Sequence, residues 1–414
     1  MTVSHAVTSL WSDAFLIDGM RTPFVDYNGA FALVSPIDLG IKAGRAALEK
    51  SGVPAADIGT VIAGSMAQAS FDAYFTPRHI GLYCGVPMGV PAHLVQRICG
   101  TGVEVIAQAA DAVTSGKADA ALCVGTESMS RNPVAAYTHR GGFRMGQIEF
   151  RDFLWEALMD TSCDTTMGGT AENLAKRYGI DRAAVDVFAA RSFERALRAQ
   201  ADGFLPGEIV PVADEVFELD GHKPRGIRLR KGETVSVDSH VCPSPLDALA
   251  KIRPAFGGVQ TGGNSSAVVD GAAGAVVTNG AYTARKGLKP LARILGATAV
   301  GVEPAYMGIG PVPAIRALLA KAGIDIGAVD RIEINEAFGA QIMACARELR
   351  LDETKVNVNG GAIAIGHPLG ATGVRLALTV SRELRRSGLR YGIASACIGG
   401  GQGIAMLVEN PEAR

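Results

Sequence analysis

Ala47-Leu48-Glu49-Lys50-Ser51-Gly52-Val53 returns in altered form as Leu318-Leu319-Ala320-Lys321-Ala322-Gly323-Ile324. The offset is about 271 residues, and other segments keep it. Thr60-Val61-Ile62-Ala63 is answered by Arg331-Ile332-Glu333-Ile334, and Thr101-Gly102-Val103 by Thr372-Gly373-Val374. Helix ends built from Ala, Lys and Gly are common by chance. Matches that share one register point instead to a duplicated unit.

Working outward, each copy alternates helical and strand patterns. Residues 36–51 have helical period and close on Gly52, a left-handed C-cap. Residues 103–114 predict an alanine-rich helix, and 118–124 a short buried strand. The second copy offers helices at 312–322 and 374–386 and a strand at 391–396. This alternation predicts an α/β fold, with helices on sheet faces and two halves related by a pseudo-twofold axis.

Between the copies lies a segment of different character, residues 132–260. It holds Phe143, Phe150, Phe153 and Trp155. Residues 167–201 look helical, and 214–241 look like strands with turns. This is an insertion on a rigid scaffold, a common place for a substrate site. The expected division is 1–131 for the first half, re-entered by 261–284, then the inserted loop domain 132–260, then 285–414 for the second half. Thr261-Gly262-Gly263-Asn264-Ser265-Ser266 leads the chain back into the core.

Composition excludes several classes. The 414 residues are 48% hydrophobic and 20% charged, enough for a large core and too apolar for disorder. A net charge of −1 gives no bulk attraction for nucleic acid or an anionic membrane. No apolar run reaches the roughly 18 residues of a membrane span. Residues 1–13 lack the basic and apolar regions of a signal peptide and the Arg-rich look of a transit peptide. Pro411-Glu412-Ala413-Arg414 is not a peroxisomal address. The seven cysteines, Cys84, Cys99, Cys123, Cys163, Cys242, Cys345 and Cys397, form no C-x-x-C pair. A reducing cytoplasm is the expected compartment, and a metal site is not expected.

Two of the cysteines stand where chemistry is expected. Cys99 lies in Gln96-Arg97-Ile98-Cys99-Gly100-Thr101-Gly102, at the start of a helix. Unpaired N–H groups there favour a thiolate. His367 lies in Gly366-His367-Pro368-Leu369-Gly370, framed by glycines. At the repeat offset Cys99 falls opposite Gly370, so the two loops occupy equivalent points of the two halves. They can face each other as a nucleophile and its base. A buried small cysteine and a satisfied core histidine are the bland alternatives. Asn335 follows the strand 332–334 and can hold a water or donate to an oxyanion, or simply form a turn. Cys397 opens Cys397-Ile398-Gly399-Gly400-Gly401-Gln402-Gly403, either a tight strand-to-strand turn or a source of free backbone N–H groups.

With these motifs in place, the chain resembles the thiolases of the acetyl-CoA acyltransferase family. The likeness runs from Arg21-Thr22-Pro23-Phe24 to the Cys397 glycine run. It includes Glu127-Ser128-Met129-Ser130-Arg131, Met167-Gly168-Gly169-Thr170-Ala171-Glu172-Asn173, Arg253-Pro254-Ala255-Phe256 and Tyr306-Met307-Gly308-Ile309-Gly310-Pro311. The resemblance implies a five-layered αβαβα fold made of two duplicated halves with an inserted loop domain. It implies an acyltransferase of fatty acid metabolism that interconverts 3-ketoacyl-CoA plus CoA with acyl-CoA plus acetyl-CoA. Cys99 would take the acyl group, activated by His367. His367, with a water held by Asn335, would bind the thioester oxygen. Cys397 would move the proton on the α carbon. The N–H groups of Cys99 and Gly399 would form a second oxyanion hole. Ser266 and Met307 would line the pantetheine channel, with Phe338 near the acyl end. CoA thioesters would be substrates, with no separate cofactor and no metal, and the assembly a homodimer or homotetramer.

Two positions depart from the family pattern. Gln96 stands where Asn is common, and Thr166 where short-chain biosynthetic members usually show His. A Claisen-type ketoacyl synthase of the same fold is an alternative, but it lacks a second catalytic cysteine. An inactive acyl-CoA or sterol-binding scaffold is another, opposed by the intact Cys99, Asn335, His367 and Cys397.

Overall fold

The computed structural model describes residues 5–68, 70–137, 139–230 and 232–413. Residues 1–4 and Arg414, both part of the terminal stretches read above, lie outside the described residues.

The duplication is present as topology. In the first half Thr60–Gly64 runs parallel to Ala120–Glu127, which is antiparallel to Val269–Thr278, itself antiparallel to Phe15–Arg21. In the second half Arg331–Ile334 runs parallel to Tyr391–Ile398, which is antiparallel to Gln402–Glu409, itself antiparallel to Ala292–Gly301. Order and direction are the same in both. The halves meet where Phe15 and Leu16 pair with Arg293 and Ala292, joining the strands into one continuous hydrogen-bonded sheet. The first half carries an extra edge strand, Ala92–Val95, beside Thr60–Gly64. A lone parallel bridge, Ile332 to Val356, takes the matching place in the second.

The helices repeat too. Pro36–Ser51 begins where the Ser35 side chain accepts from the Ile37 N–H, and it ends on Gly52 at φ +67°. Pro311–Ala322 ends on Gly323 at φ +68°. The first packs on Val269–Thr278 and Phe15–Arg21, the second on Gln402–Glu409 and Ala292–Gly301. Strand Val269–Thr278 is buried along its whole length, as expected when both faces are covered.

Thr101–Thr114 and Leu369–Ser387 pack against each other, and each touches strands of both halves. They cross at the repeated glycines. A Cβ on Gly102 would lie 2.5 Å from Val374 N, and one on Gly373 would overlap Val103 N. The Thr-Gly-Val triplets therefore mark the pseudo-twofold axis, because only a residue without Cβ lets two backbones meet this closely.

Element ends differ in detail from the sequence pattern. The predicted strand at 118–124 is Ala120–Glu127, and the central helices start earlier, at Thr101 and Leu369. The helical stretch 167–201 is two helices, Met167–Tyr178 and Arg182–Ala201. Gly179 at φ +58° stops the first, and the Asp181 carboxylate caps the second through the Ala184 N–H. The described residues of 214–241 hold one short pair, Glu215–Phe217 with Arg225–Ile227, and Val235 bridges to Val212 just before this stretch. The insertion is tied to the core by buried Arg21, which bonds Asp238 at 2.6 and 2.8 Å and Glu208 at 3.2 Å. No helix among the described residues is long and apolar enough to cross a membrane.

Candidate active site

Cys99 comes from the first half. It sits in a single turn, Ile98–Gly100, immediately before the helix Thr101–Thr114. Ile98 has φ +46°, a left-handed conformation that a β-branched residue adopts only under constraint, at about 1–3 kcal/mol. The Thr101 hydroxyl supplies part of that constraint. It donates to the Ile98 carbonyl at 2.7 Å and accepts from the Arg97 N–H at 2.8 Å. Burial pushes the Cys99 thiol up to about 11, and the charge of Glu127 adds to the rise. The N–H groups of Gly399 and of Cys99 itself pull the other way.

His367 comes from the second half. Gly366 before it has φ +102°, and a Cβ there would lie 2.6 Å from Val269 Cγ1. Thr372 Oγ1 donates to the Pro368 carbonyl at 3.0 Å and lies 2.6 Å from His367 Nδ1. With its proton so committed, Thr372 accepts from Nδ1–H. Nε2 is then the unprotonated nitrogen, and the Asn335 amide donates to it at 3.2 Å. Burial, reinforced by the positive charge of Arg375, lowers the ring to about 3, so the imidazole is neutral.

Asn335 follows Arg331–Ile334 directly and is fully buried. Its N–H continues the ladder to the Ser395 carbonyl at 2.9 Å, which leaves the side chain as the free group. Asn335 Oδ1 is buried without a hydrogen-bond partner among the described residues.

Cys397 lies near the end of Tyr391–Ile398 and is fully buried. Residues 399–401 then form a hairpin loop into Gln402–Glu409, with Gly400 and Gly401 at φ +82° and +83°. The glycine run is a tight turn between strands, and its Gly399 N–H acts on the Cys99 thiol of the other half, favouring the thiolate. Burial, then the neighbouring Cys99 and Cys345, push the Cys397 thiol well above its usual range.

Of these groups, His367 opens on a cavity of about 230 Å³, lined also by Ser266, Phe338, Leu369, Met167 and Trp155. Cys99 packs with Met66, Ala67, Met129, Leu154 and Leu369, and two of these, Met129 and Leu369, also form cavity wall. Phe338 meets Phe256 edge-on at 6.2 Å. Met307 lies deeper, packed with Ala337 and Cys397 rather than on the cavity wall. No direct hydrogen bond joins Cys99 to His367 among the described residues.

Thr372, Trp155 and Glu127 carried no signal of their own in the sequence, and Thr166 was marked only by its departure from the family pattern. Thr372 was visible only as part of a repeat. Thr166 caps Met167–Tyr178 through the Gly169 N–H and also faces the cavity. Trp155 was an aromatic of the insertion with no partner named. Glu127 was part of a motif without a task.

Comparison with known proteins follows the same outline. Family models described as the N-terminal and C-terminal domains of thiolase match residues 14–281 and 288–410. The chain is 39% identical over 407 residues to the mitochondrial 3-ketoacyl-CoA thiolase of Homo sapiens, spanning 97% of this chain and 99% of that one. It is 41% identical over 409 residues to the beta-ketoadipyl-CoA thiolase of Acinetobacter baylyi, spanning 96% and 99%. Among solved structures, it is similar to human mitochondrial 3-ketoacyl-CoA thiolase in complex with CoA, with TM-score 0.90, 38% identity and coverage of 96% and 98%. It is also similar to the Bacillus anthracis acetyl-CoA acetyltransferase, with TM-score 0.88, 37% identity and coverage of 97% and 99%. Both halves, the seam between them and nearly every residue of the chain fall within these matches, and the chain belongs to the thiolase family.

Proposed function

We propose that the protein is a CoA-dependent thiolase that cleaves and forms 3-ketoacyl-CoA through an S-acyl intermediate on Cys99. In the cleavage direction, Cys99 passes its proton to His367 Nε2 as its sulfur attacks the ketone carbonyl. The oxyanion is received by the N–H groups of Cys99 and Gly399. The bond between the α carbon and the ketone carbon breaks, and its electron pair becomes the enolate of acetyl-CoA. That enolate oxygen faces His367 and Asn335, and Cys397 supplies the proton to the α carbon. Acetyl-CoA leaves. The thiol of CoA then gives its proton to the Cys397 thiolate as its sulfur attacks the S-acyl group; the Cys99 sulfur leaves, takes back the proton held by His367, and acyl-CoA departs.

The observation that carries this reading is a buried His367 whose tautomer leaves Nε2 as an acceptor held by Asn335, with the Cys99 thiol of the other half under the influence of the Gly399 N–H. The steps are proton transfer, acyl transfer and carbon–carbon cleavage with no net oxidation or reduction, and no cofactor or metal is assigned to them. A cytoplasmic location is our reading of the compartment, supported by seven cysteines that are all free. A homodimer or homotetramer is our reading of the assembly, supported by exposed Phe71, Tyr74 and Phe75 lying close together in sequence.

The test is consumption of a series of 3-ketoacyl-CoA thioesters in the presence of CoA, with Cys99→Ser alongside. The wild type should turn over, and the variant should lose at least about 10³-fold, since an unactivated hydroxyl is a poor nucleophile. A wild type that cleaves none of the series, or a fully active variant, would refute the assignment.

A further inference from the structure

Glu127 is a carboxylate that the chemistry above leaves unused. It ends the strand Ala120–Glu127 and is about 1% exposed. No Lys, Arg or His pairs with it among the described residues. Instead it accepts four hydrogen bonds. Oε2 takes the N–H of Met66 at 2.8 Å and of Gly370 at 2.9 Å. Oε1 takes the Ser65 hydroxyl at 3.1 Å and the Ala67 N–H at 3.2 Å. Three of these donors are backbone groups that cannot turn round, so the site is built for an acceptor at both oxygens. Burial raises the carboxyl, and the N–H groups of Met66, Ala67 and Gly370 and the Ser65 hydroxyl pull it back down.

The donors come from both sides of the molecule. Met66 and Ala67 belong to the first half and pack on Cys99. Gly370 belongs to the second half, three residues past His367, in the first turn of Leu369–Ser387. A negative charge at that helix start is favoured by the aligned peptide dipoles. The contact is close as well, since a Cβ on Gly370 would lie 2.6 Å from the Thr126 carbonyl and 2.8 Å from that of Gly64.

We propose that Glu127 is a positioning residue for acyl transfer, clamping the His367 loop of one half to the Cys99 wall of the other through Gly370, Met66 and Ala67. This rests on the thiolase reading for its activity assay, but the clamp itself is a statement about geometry. The groups that titrate around Cys99 are Glu127 on the strand end, Cys397 on the opposite half and His367 on its loop. Glu127 opposes ionisation of the thiol, so the clamp has an electrostatic signature apart from its shape.

The test is Glu127→Gln. The amide keeps the volume but turns an N–H toward donors on one side, so two contacts are lost. The expected result is a fall in kcat of about 10–100-fold, with KM for CoA within about threefold of the wild type. With the charge removed, iodoacetamide should also label Cys99 faster at pH 8, by about twofold or more. Because loosening of the fold would also expose Cys99, the labelling is compared at matched denaturation midpoints, and faster labelling at unchanged stability is the expected result. Wild-type kcat, or labelling no faster than the wild type, would overturn the proposal. Ser65→Ala removes one of the four donors and little else. It should lower kcat severalfold, and an unchanged kcat there would overturn the proposal even where Glu127→Gln does not fold. If the wild type itself shows no thiolysis, the enzymatic reading fails, while the labelling comparison still decides the role of Glu127.

Discussion

A thiol held near 11 and an imidazole held near 3 do not form a standing ion pair. Cys99 and His367 rest neutral, and on the proposed mechanism charge develops only as substrate binds. The sign is testable. Thiolate is the reactive form and grows tenfold per unit below the thiol pKa. Alkylation of the free enzyme should therefore climb steadily from pH 6 to pH 9. A plateau beginning near pH 6 would indicate a preformed thiolate and imidazolium. The proposed mechanism gives the two cysteines different tasks. Acyl transfer to Cys99 needs no proton on carbon, so Cys397→Ala should still accept an acyl group from acyl-CoA. It should neither make nor cleave 3-ketoacyl-CoA at an appreciable rate. Intact-mass measurement should find the adduct in that variant and none in Cys99→Ala. Wild-type condensation by Cys397→Ala would remove its proton-transfer role.

Elements tell how such residues are brought together. The central helices touch where Gly102 and Gly373 face the opposing backbone. Gly373→Ala should cost about 2–4 kcal/mol in chemical denaturation, because the added methyl has only backbone to displace. A loss under about 1 kcal/mol would mean the helices can part without penalty. This crossing was legible beforehand only as a repeated triplet. Helix Pro36–Ser51 was legible outright, because its punctuation is local: Ser35, Pro36 and Gly52 are neighbours in sequence. The break at Gly179 was missed, since the apolar period runs on through it. Glu127 and Thr372 were missed for a different reason. Glu127 bonds Gly370 across 243 positions, and such a partner has no trace in the pattern around either residue. Cys99, His367, Asn335 and Cys397 could be singled out because glycines and strand ends mark them locally. The duplication predicts that the Cys99 and His367 loops face each other, and the packing of helix Thr101–Thr114 on helix Leu369–Ser387 joins the two segments that carry them.

Across the whole molecule, the insertion and both halves share one buried cation. Arg21 on Phe15–Arg21 holds Asp238 and Glu208 of the insertion, and Glu208 in turn accepts from Thr379 on Leu369–Ser387 at 2.7 Å. Arg21→Met should destabilise by about 3–5 kcal/mol, because two buried carboxylates lose their counter-ion. Protease should then cut first within residues 132–260. Loss below about 1 kcal/mol would show that the carboxylates find other partners. The meeting of Gly102 with Gly373 bears on this scale as well. It acts as a fulcrum. Cys99 stands three residues before one glycine and His367 six before the other, within about two helical turns of the pivot. Short lever arms make small errors. A shift of the exposed 141–150 loop, or of the outer helices, has little purchase on the separation of thiol and ring. Where two backbones bear directly on each other there is no side chain to yield, so the spacing of the two loops is held by the chain itself.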